Sequence, residues 1–479
     1  MLEVKRTDIK IKANSERVLP LLLDLKMKGR IKEIISQIAS FDDDTVEKTL
    51  NQVFSEFESR HIDFKDVIFR HYQVIADKLK IPETCSLSRK LLIGAYFTKE
   101  YSIESAALFN PSITVHPDQN GNSNDSMRFL MSLRATGEGH VSSIVFRTGS
   151  VSKDGAIILD KDSDKLVAGK RNSNPVFKKS FVSERAQFNK KINPQLFDYL
   201  PDEFTEKEAV QIIADIKRKN LFHLNGTKKA LEEIFDTNYE VTFNKNTPLN
   251  SKVIFPSSKT ESMGMEDVRF VKFSEDNKNI YIGTYTAYDG KNIRVQILKT
   301  DDFNAFKIRS LHGKSAQDKG MALFPEKING KYAMISRQGG NSISIMYSNN
   351  MCFWNEHQVI QKPKREWEMT QMGNSGSPIK TPHGWLLLTH AVGPLRKYVL
   401  SASLLDLNNP EKVLATLNEP LLSPNNCERE GYVPNVVYTC GLLQHGDNLI
   451  IPYAMSDSAT SFATVKLHTL IEKLLKNTK

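Results

Sequence analysis

The sequence predicts an all-β fold, a five-bladed β-propeller with an N-terminal helical segment and a helical insertion, and three observations carry that expectation. Short β-rich runs punctuated by Gly, Asn, Asp and Pro fill most of the chain after residue 100. Five of these runs share one layout: a polar or turn-like lead-in, a strand of bulky apolar residues, then polar or ionisable residues at the far end. The last four recur about every 50–60 residues, a period that marks propellers and solenoids. A large β-sandwich is the alternative, because the units resemble one another weakly and carry neither a WD nor a kelch signature.

Residues 1–100 read as helical. "RVLPLLLDLKMKGRIKEIISQIASF" spaces its apolar residues by three and four, and "DDDTVEKTLNQVFSEFESRHI" opens on acids suited to a helix N-terminus. A propeller domain is expected over 101–479, with a helical insertion at about 194–236, where Thr205 and Glu208 stand in capping-box spacing. The five units are "SMRFLMSLRATG" from Ser126, "NIYIGTYTAYDG" from Asn279, "NGKYAMISRQGG" from Asn329, "HGWLLLTHAVG" from His383 and "GDNLIIPYAMSD" from Gly446. In a propeller the inner strands line a central channel, so their ends converge on one mouth. Those ends carry Arg134, Tyr288 with Asp289, Arg337, His390 and Asp457. Strand ends on a rigid scaffold are where sites are usually built.

Composition sets the function classes aside one by one. With 40% hydrophobic and 25% charged residues, the 479-residue chain is an ordinary globular protein with a large core, and only the basic tail "KLLKNTK" reads as disordered. The net charge of +9 is spread along the chain, densest near "SDKLVAGKRNSNPVFKKS", with no long basic block; it suits a small anion better than nucleic acid. Cys85, Cys352, Cys427 and Cys440 form no CxxC pair, so neither a zinc site nor a disulfide framework is implied. The N-terminus lacks the apolar core of a signal peptide and no run is long enough to span a bilayer, so a cytoplasmic protein without a membrane partner is expected. The absence of GxGxxG after a strand, of a Walker loop and of GxSxG removes support for nucleotide cofactors and serine-hydrolase chemistry.

The stretch "GMEDVRFVKF" from Gly264 holds the first candidates. Side chains alternate along a strand, which places Asp267 and Arg269 on one face and Glu266 on the other. Asp267 is then a proton donor or sugar-hydroxyl ligand, or else half of a structural pair with Arg269. Cations recur at equivalent places: Arg294, Lys319, Arg337, and His390 with Arg396 in "LLLTHAVGPLRKY". Gathered in a cleft they would repel one another unless an anion such as phosphate neutralised them. Small residues at Asn374 to Ser377 would let a ligand approach the backbone, and Trp367 and Trp385 are sugar-stacking or core residues. From the cluster Glu428, Arg429, Glu430, Tyr432 we retain Glu430. Asn110 lies in an Asn-Pro turn, and Glu138 and His140 on a Gly-loosened loop with no second ligand at metal spacing.

Taken in order, "LFNPSI", "RFLMSLR", "GMEDVRFV", "YTAYDG", "DKGMALFPEKINGKYAMISR", "GSPIKTPHGWLLLTH", "LLDLNNPEKVL", "EREGYVPNVVYTCG" and "IPYAMSD" resemble glycoside hydrolase family 130, the β-mannoside phosphorylases and related mannosidases. The likeness covers about 102–470 and lies in order and spacing. It implies a five-bladed propeller and inverting phosphorolysis of a β-mannoside to α-mannose 1-phosphate. The family's general acid falls on Asp267, with Val268 where Pro is usual; it acts through a hydroxyl of the bound mannose. The phosphate-binding cations fall on Arg294, Lys319, Arg337 and His390, and the sugar-binding Asp on Asp457, with Asn110 and Arg134 as first-blade contacts. Tyr288, Asp289 and Glu430 complete the expected substrate set. No metal or organic cofactor is implied; inorganic phosphate is the co-substrate, and the helical region could join copies of the chain.

Inverting displacement needs an acid on the leaving-group side and a nucleophile on the opposite face. A water nucleophile would need a second carboxylate as base, whereas phosphate arrives anionic and needs cations to hold it in line. The retained cations favour the phosphorylase. An inverting β-mannosidase using Asp267, Glu138 or Glu430 is the rival, and a non-catalytic carbohydrate-binding propeller a further one.

Overall fold

Antiparallel strand pairing organises the computed structural model, which describes residues 2–25, 27–79, 85–120, 125–275 and 278–476. Five antiparallel units follow one another. The first runs through Ala107–Val115, Ser126–Thr136, Ser142–Ser152 and Ile157–Leu159, the second through Gly264–Glu275, Lys278–Tyr288, Ile293–Thr300 and Ala305–Ser310. The third centres on Tyr332–Ser336 and Ile343–Ser348, the fourth on Gly384–Val392 and Tyr398–Leu405, the fifth on Asn448–Met455 and Ala459–Lys466. A single parallel pairing, Gly264 with Ser142, joins the first two into one larger sheet. Side chains from successive units interdigitate, as where Leu386, Leu404, Ile451 and Ala463 share one core.

The fold is mainly β but not purely so: eight α-helices occur among the described residues. α1 (Lys28–Ala39), α2 (Asp43–Phe57), α3 (Phe64–Leu79) and α4 (Leu87–Tyr96) pack round their own core of Ile31, Val46, Tyr72, Ile75 and Leu92. Asp42 caps α2 by accepting the Thr45 N–H at 2.6 Å. Because Gly94 has no side chain, α4 can lie against α3; a Cβ there would fall 1.9 Å from the Ile68 carbonyl oxygen. α5 (Lys179–Ala186), α6 (Glu206–Arg218) and α7 (Thr227–Thr237) surround a separate core that includes Phe177, Leu196, Ile213 and Phe235. The expected capping box at Thr205 and Glu208 is present. Helix begins at Lys179, earlier than 194, because "KSFVSERA" has no clear apolar stripe to announce it.

Two expectations at the ends of the chain are corrected. "RVLPLLL" is not helical: Val18–Leu22 is a strand paired with Thr98–Ser102. Pro20 lacks an amide hydrogen and would break a helix interior, so the three-and-four apolar spacing misled. The tail is not disordered as far as Lys476, since α8 (Leu467–Lys476) buries Leu470, Ile471 and Leu474; residues 477–479 lie outside the described residues.

The first residues belong to the last sheet. Val4–Arg6 pairs antiparallel with Ala459–Lys466, Val4 opposite Val465 and Arg6 opposite Ala463, and Ile11–Lys12 extends the same edge. Arg6 donates to the buried Glu428 carboxylate through Nε at 2.9 Å, and the Tyr453 hydroxyl donates to it at 2.6 Å. Deleting residues 1–12 would unpair that edge and remove the cationic partner of a buried carboxylate, a loss of about 3 kcal/mol or more. We expect the thermal midpoint of such a variant to fall by roughly 5 °C or more. An unchanged midpoint in calorimetry would refute this contribution of the first strand to stability.

Candidate active site

Two irregular strands bring the first two units together. The register of Ala107–Val115 against its neighbour shifts between Phe109 and Ser112, and that of Gly264–Glu275 shifts between Glu266 and Arg269. At each bulge a residue other than glycine takes left-handed backbone, Asn110 at φ +50° and Asp267 at φ +54°. Bulges re-aim side chains. Strict alternation is therefore lost, and Glu266 does not take the face opposite Asp267: one guanidinium, Arg134, reaches both, at 2.9 Å to Glu266 and 3.3 Å to Asp267. Asn110 Nδ2 donates to Asp267 Oδ1 at 2.8 Å, and Lys319 Nζ donates to Glu266 at 2.7 Å. Arg269 holds the bulge through its backbone, donating to the Asp267 carbonyl oxygen at 2.9 Å and to the Tyr438 hydroxyl oxygen at 2.6 Å.

These groups border a cavity of about 340 Å³ whose lining includes Asn110, Arg134, Asp267, Arg269, Lys319, Arg337, Arg396, Tyr398, Tyr438 and Asp457. Asp318, Leu395, Arg396, Ser456 and Asp457 also have positive φ. Each such residue costs of order 1–3 kcal/mol, and strain of this kind concentrates where side chains must be aimed. Five cations line the cavity against the two carboxyls of Asp267 and Asp457, with Glu266 and Asp318 bound to the cations beside it. The surplus is positive, which suits an anion.

Burial on its own would raise the Asp267 carboxyl, but Arg134, Arg269, the Asn110 hydrogen bond and Lys319 together outweigh it and hold the group below the usual carboxylate range. Asp457 goes the other way: burial, and then repulsion from Asp267, push it up to about 6. Two carboxyls in one cavity are thus driven apart in acidity, the pattern expected of paired sites with different tasks.

Of the expected residues, Asn110, Arg134, Asp267, Lys319, Arg337 and Asp457 share this cavity. The four expected phosphate cations do not all converge. His390 is 1% exposed and lies beneath the lining, edge-on to Tyr438 at 4.9 Å and near Arg337 over Gly373, where a Cβ would come 2.8 Å from the imidazole. Burial, then Arg337 and Arg269, push its imidazole well below its ordinary value, so it is neutral. Arg294 lies in a neighbouring groove of about 880 Å³ with His312, Lys314 and Asp318, paired to Glu233 of α7.

Tyr288 and Asp289 stand beside the cavity and not in its lining. The Tyr288 ring lies 5.9 Å from Lys319 Nζ, and Asp289 closes a turn by accepting the Lys291 and Asn292 amides. Glu430 is exposed and outside the lining; the buried acid of that cluster is Glu428, tied to Arg6. Trp385 is core, and Glu138 is an exposed partner of Lys99. Sequence reasoning did not select Glu266, Tyr398 or Tyr438. Glu266 was legible only as an acid in a turn, and nothing local announced the bulge that turns it inward.

A family model described as β-1,4-mannooligosaccharide phosphorylase matches residues 227–476. The 1,2-β-oligomannan phosphorylase of Thermoanaerobacter sp. (strain X514) is 36% identical over 230 residues, 46% of this chain and 74% of that protein. The β-1,2-mannobiose phosphorylase of the same strain is 32% identical over 284 residues, 54% of this chain and 91% of that one. Among solved structures, the β-1,2-mannobiose phosphorylase from Listeria innocua in complex with β-1,2-mannobiose superposes with a TM-score of 0.47 at 21% identity, covering 78% of this chain and 93% of that one.

Proposed function

Since the chain belongs to the mannoside phosphorylases of glycoside hydrolase family 130, we propose that it carries out inverting phosphorolysis of β-mannosides to α-mannose 1-phosphate in the cavity around Asp267. The observation that carries this reading is the convergence of Lys319 and Arg337 with Asp267 in one electropositive cavity. Asn110, Arg134 and Asp457 hold the mannose unit, and Lys319 and Arg337 seat the phosphate. A phosphate oxygen attacks C1 as the glycosidic C1–O bond breaks, inverting the anomeric centre. The proton on Asp267 passes through a mannose hydroxyl to the leaving oxygen, and the proton carried by the incoming hydrogen phosphate restores it. His390 supports Arg337 from beneath as a neutral group.

The field around Asp267 gives the phosphate a second effect. In the ligand-free site the cations keep this acid ionised, and a carboxylate cannot donate. A dianion seated on Lys319 and Arg337 offsets those charges and raises the proton affinity of Asp267. Phosphate binding therefore loads the acid with its proton, and uptake of phosphate and of a proton are linked.

Five consecutive antiparallel units support reading the scaffold as a five-bladed propeller spanning 101–479, with the Val4–Arg6 strand completing its last blade and α1–α4 forming a helical region outside it. Among the described residues no helix is long and apolar enough to cross a membrane. The test is to incubate the protein with β-mannosides with and without orthophosphate. Release of α-mannose 1-phosphate only when orthophosphate is present is expected. Equal release of free mannose without it would replace the phosphorylase by a hydrolase.

A further inference from the structure

On the phosphorolytic reading above, phosphate has to reach a seat on Lys319 and Arg337. Four of the five cations lining the cavity already have partners: Arg134 has Glu266 and Asp267, Arg269 has Tyr438, Lys319 has Glu266 at 2.7 Å, and Arg337 has Asp318 at 3.7 Å. An incoming anion must displace a carboxylate from Lys319 and from Arg337 before it can take their full charge. Arg396 differs. Among the described residues its guanidinium has neither ion pair nor hydrogen bond; it lies 5.9 Å from the Tyr398 ring and within electrostatic reach of Asp457.

The backbone that presents it is unusual. In the turn after Gly384–Val392, Leu395 and Arg396 stand at φ +55° and +56°, closed by Gly393 N–H to the Lys397 carbonyl at 3.1 Å and Lys397 N–H to the Pro394 carbonyl at 3.2 Å. Two successive side chains in this region are strained. Leu395 is 93% exposed, so no packing offsets the strain. What the turn does accomplish is to set the Arg396 fork at the cavity. We infer that Arg396 is the capturing cation for inorganic phosphate, engaging it at the rim with two parallel N–H donors and delivering it to Lys319 and Arg337. A planar guanidinium suits this role because it matches two oxygens of an oxyanion at once and gives up no resident carboxylate in doing so.

The experiment titrates the full chain with inorganic phosphate in the absence of sugar, comparing the parent protein with Arg396→Gln and Arg396→Lys. Both substitutions sit on the exposed turn and keep a long side chain. The Kd for phosphate is expected to rise about tenfold or more in Arg396→Gln, as for loss of a charge-assisted contact, with Arg396→Lys in between. In turnover, KM for phosphate should rise in parallel while KM for the mannoside stays within about twofold. An unchanged phosphate Kd in Arg396→Gln, or a rise confined to the mannoside KM, would overturn the inference. Because the titration needs no turnover, a parent protein that binds phosphate through Arg396 but releases no mannose 1-phosphate would sink the proposed reaction alone. A parent that phosphorolyses normally beside an unaffected Arg396→Gln variant would sink the capturing role alone.

Discussion

Asp267→Asn is expected to lower kcat for phosphorolysis of a natural β-mannoside by roughly 10²–10⁴-fold, the usual weight of a general acid. The substitution keeps an oxygen for the Asn110 amide at 2.8 Å and for Arg134, so the cavity retains its shape while losing its proton. The size of the loss should depend on the leaving group. A mannoside with a strongly acidic aryl alcohol departs without protonation, and the variant should recover most of its rate on that substrate. Steady-state kinetics on the two substrates side by side check this. An equal loss on both would mean that Asp267 holds the sugar and does not deliver a proton.

Asp457→Asn should make the ligand-free protein more stable at neutral pH while weakening its activity. The folded carboxyl titrates at about 6, pushed up from 3.8 by burial and then by Asp267. A raised acid favours the fold in its protonated form. Its ionisation destabilises the fold progressively as pH climbs from 3.8 through 6, and the full cost, at most about 3 kcal/mol, is present above that. Asparagine removes the cost. Thermal melts should show a higher midpoint for the variant at pH 7.5 and nearly coincident midpoints at pH 4, where both side chains are neutral. A variant less stable than the parent at pH 7.5 would show that the attraction to Arg134 and Arg396 outweighs burial. The loss of activity is the counterpart: on the proposed function, this carboxylate, kept in a cavity at a cost to stability, binds the substrate hydroxyls.

Legibility varied with the range of the contact concerned. The five strand units and α1, α2, α6 and α7 were legible because each is written in a local period or cap. Asp267, Lys319 and Arg337 were legible as ionisable groups at strand ends and turns, with the family resemblance assigning their roles. The depth of His390 was not, since Tyr438 and Arg337, which cover it, lie 48 and 53 positions away in the chain. Arg294 sits at the expected place in its strand, yet Glu233 from α7 takes its guanidinium, a pairing across 61 positions that no motif records.

What the sequence determined by itself is the inventory: strand-forming units at a regular period, an acid in the Gly264 turn, a surplus of cations near the strand ends, and an order of motifs that marks the family. The tertiary structure decided which of these meet. Asn110 and Asp267 are 157 positions apart, and each leaves the strand alternation through a left-handed bulge whose side chain is held by the other, with Arg134 and Arg269 bound to Asp267. The physical reason is that periodicity encodes which face of an element is apolar, whereas the aim of a polar side chain at a bulge is set by partners that arrive only when the sheets have assembled.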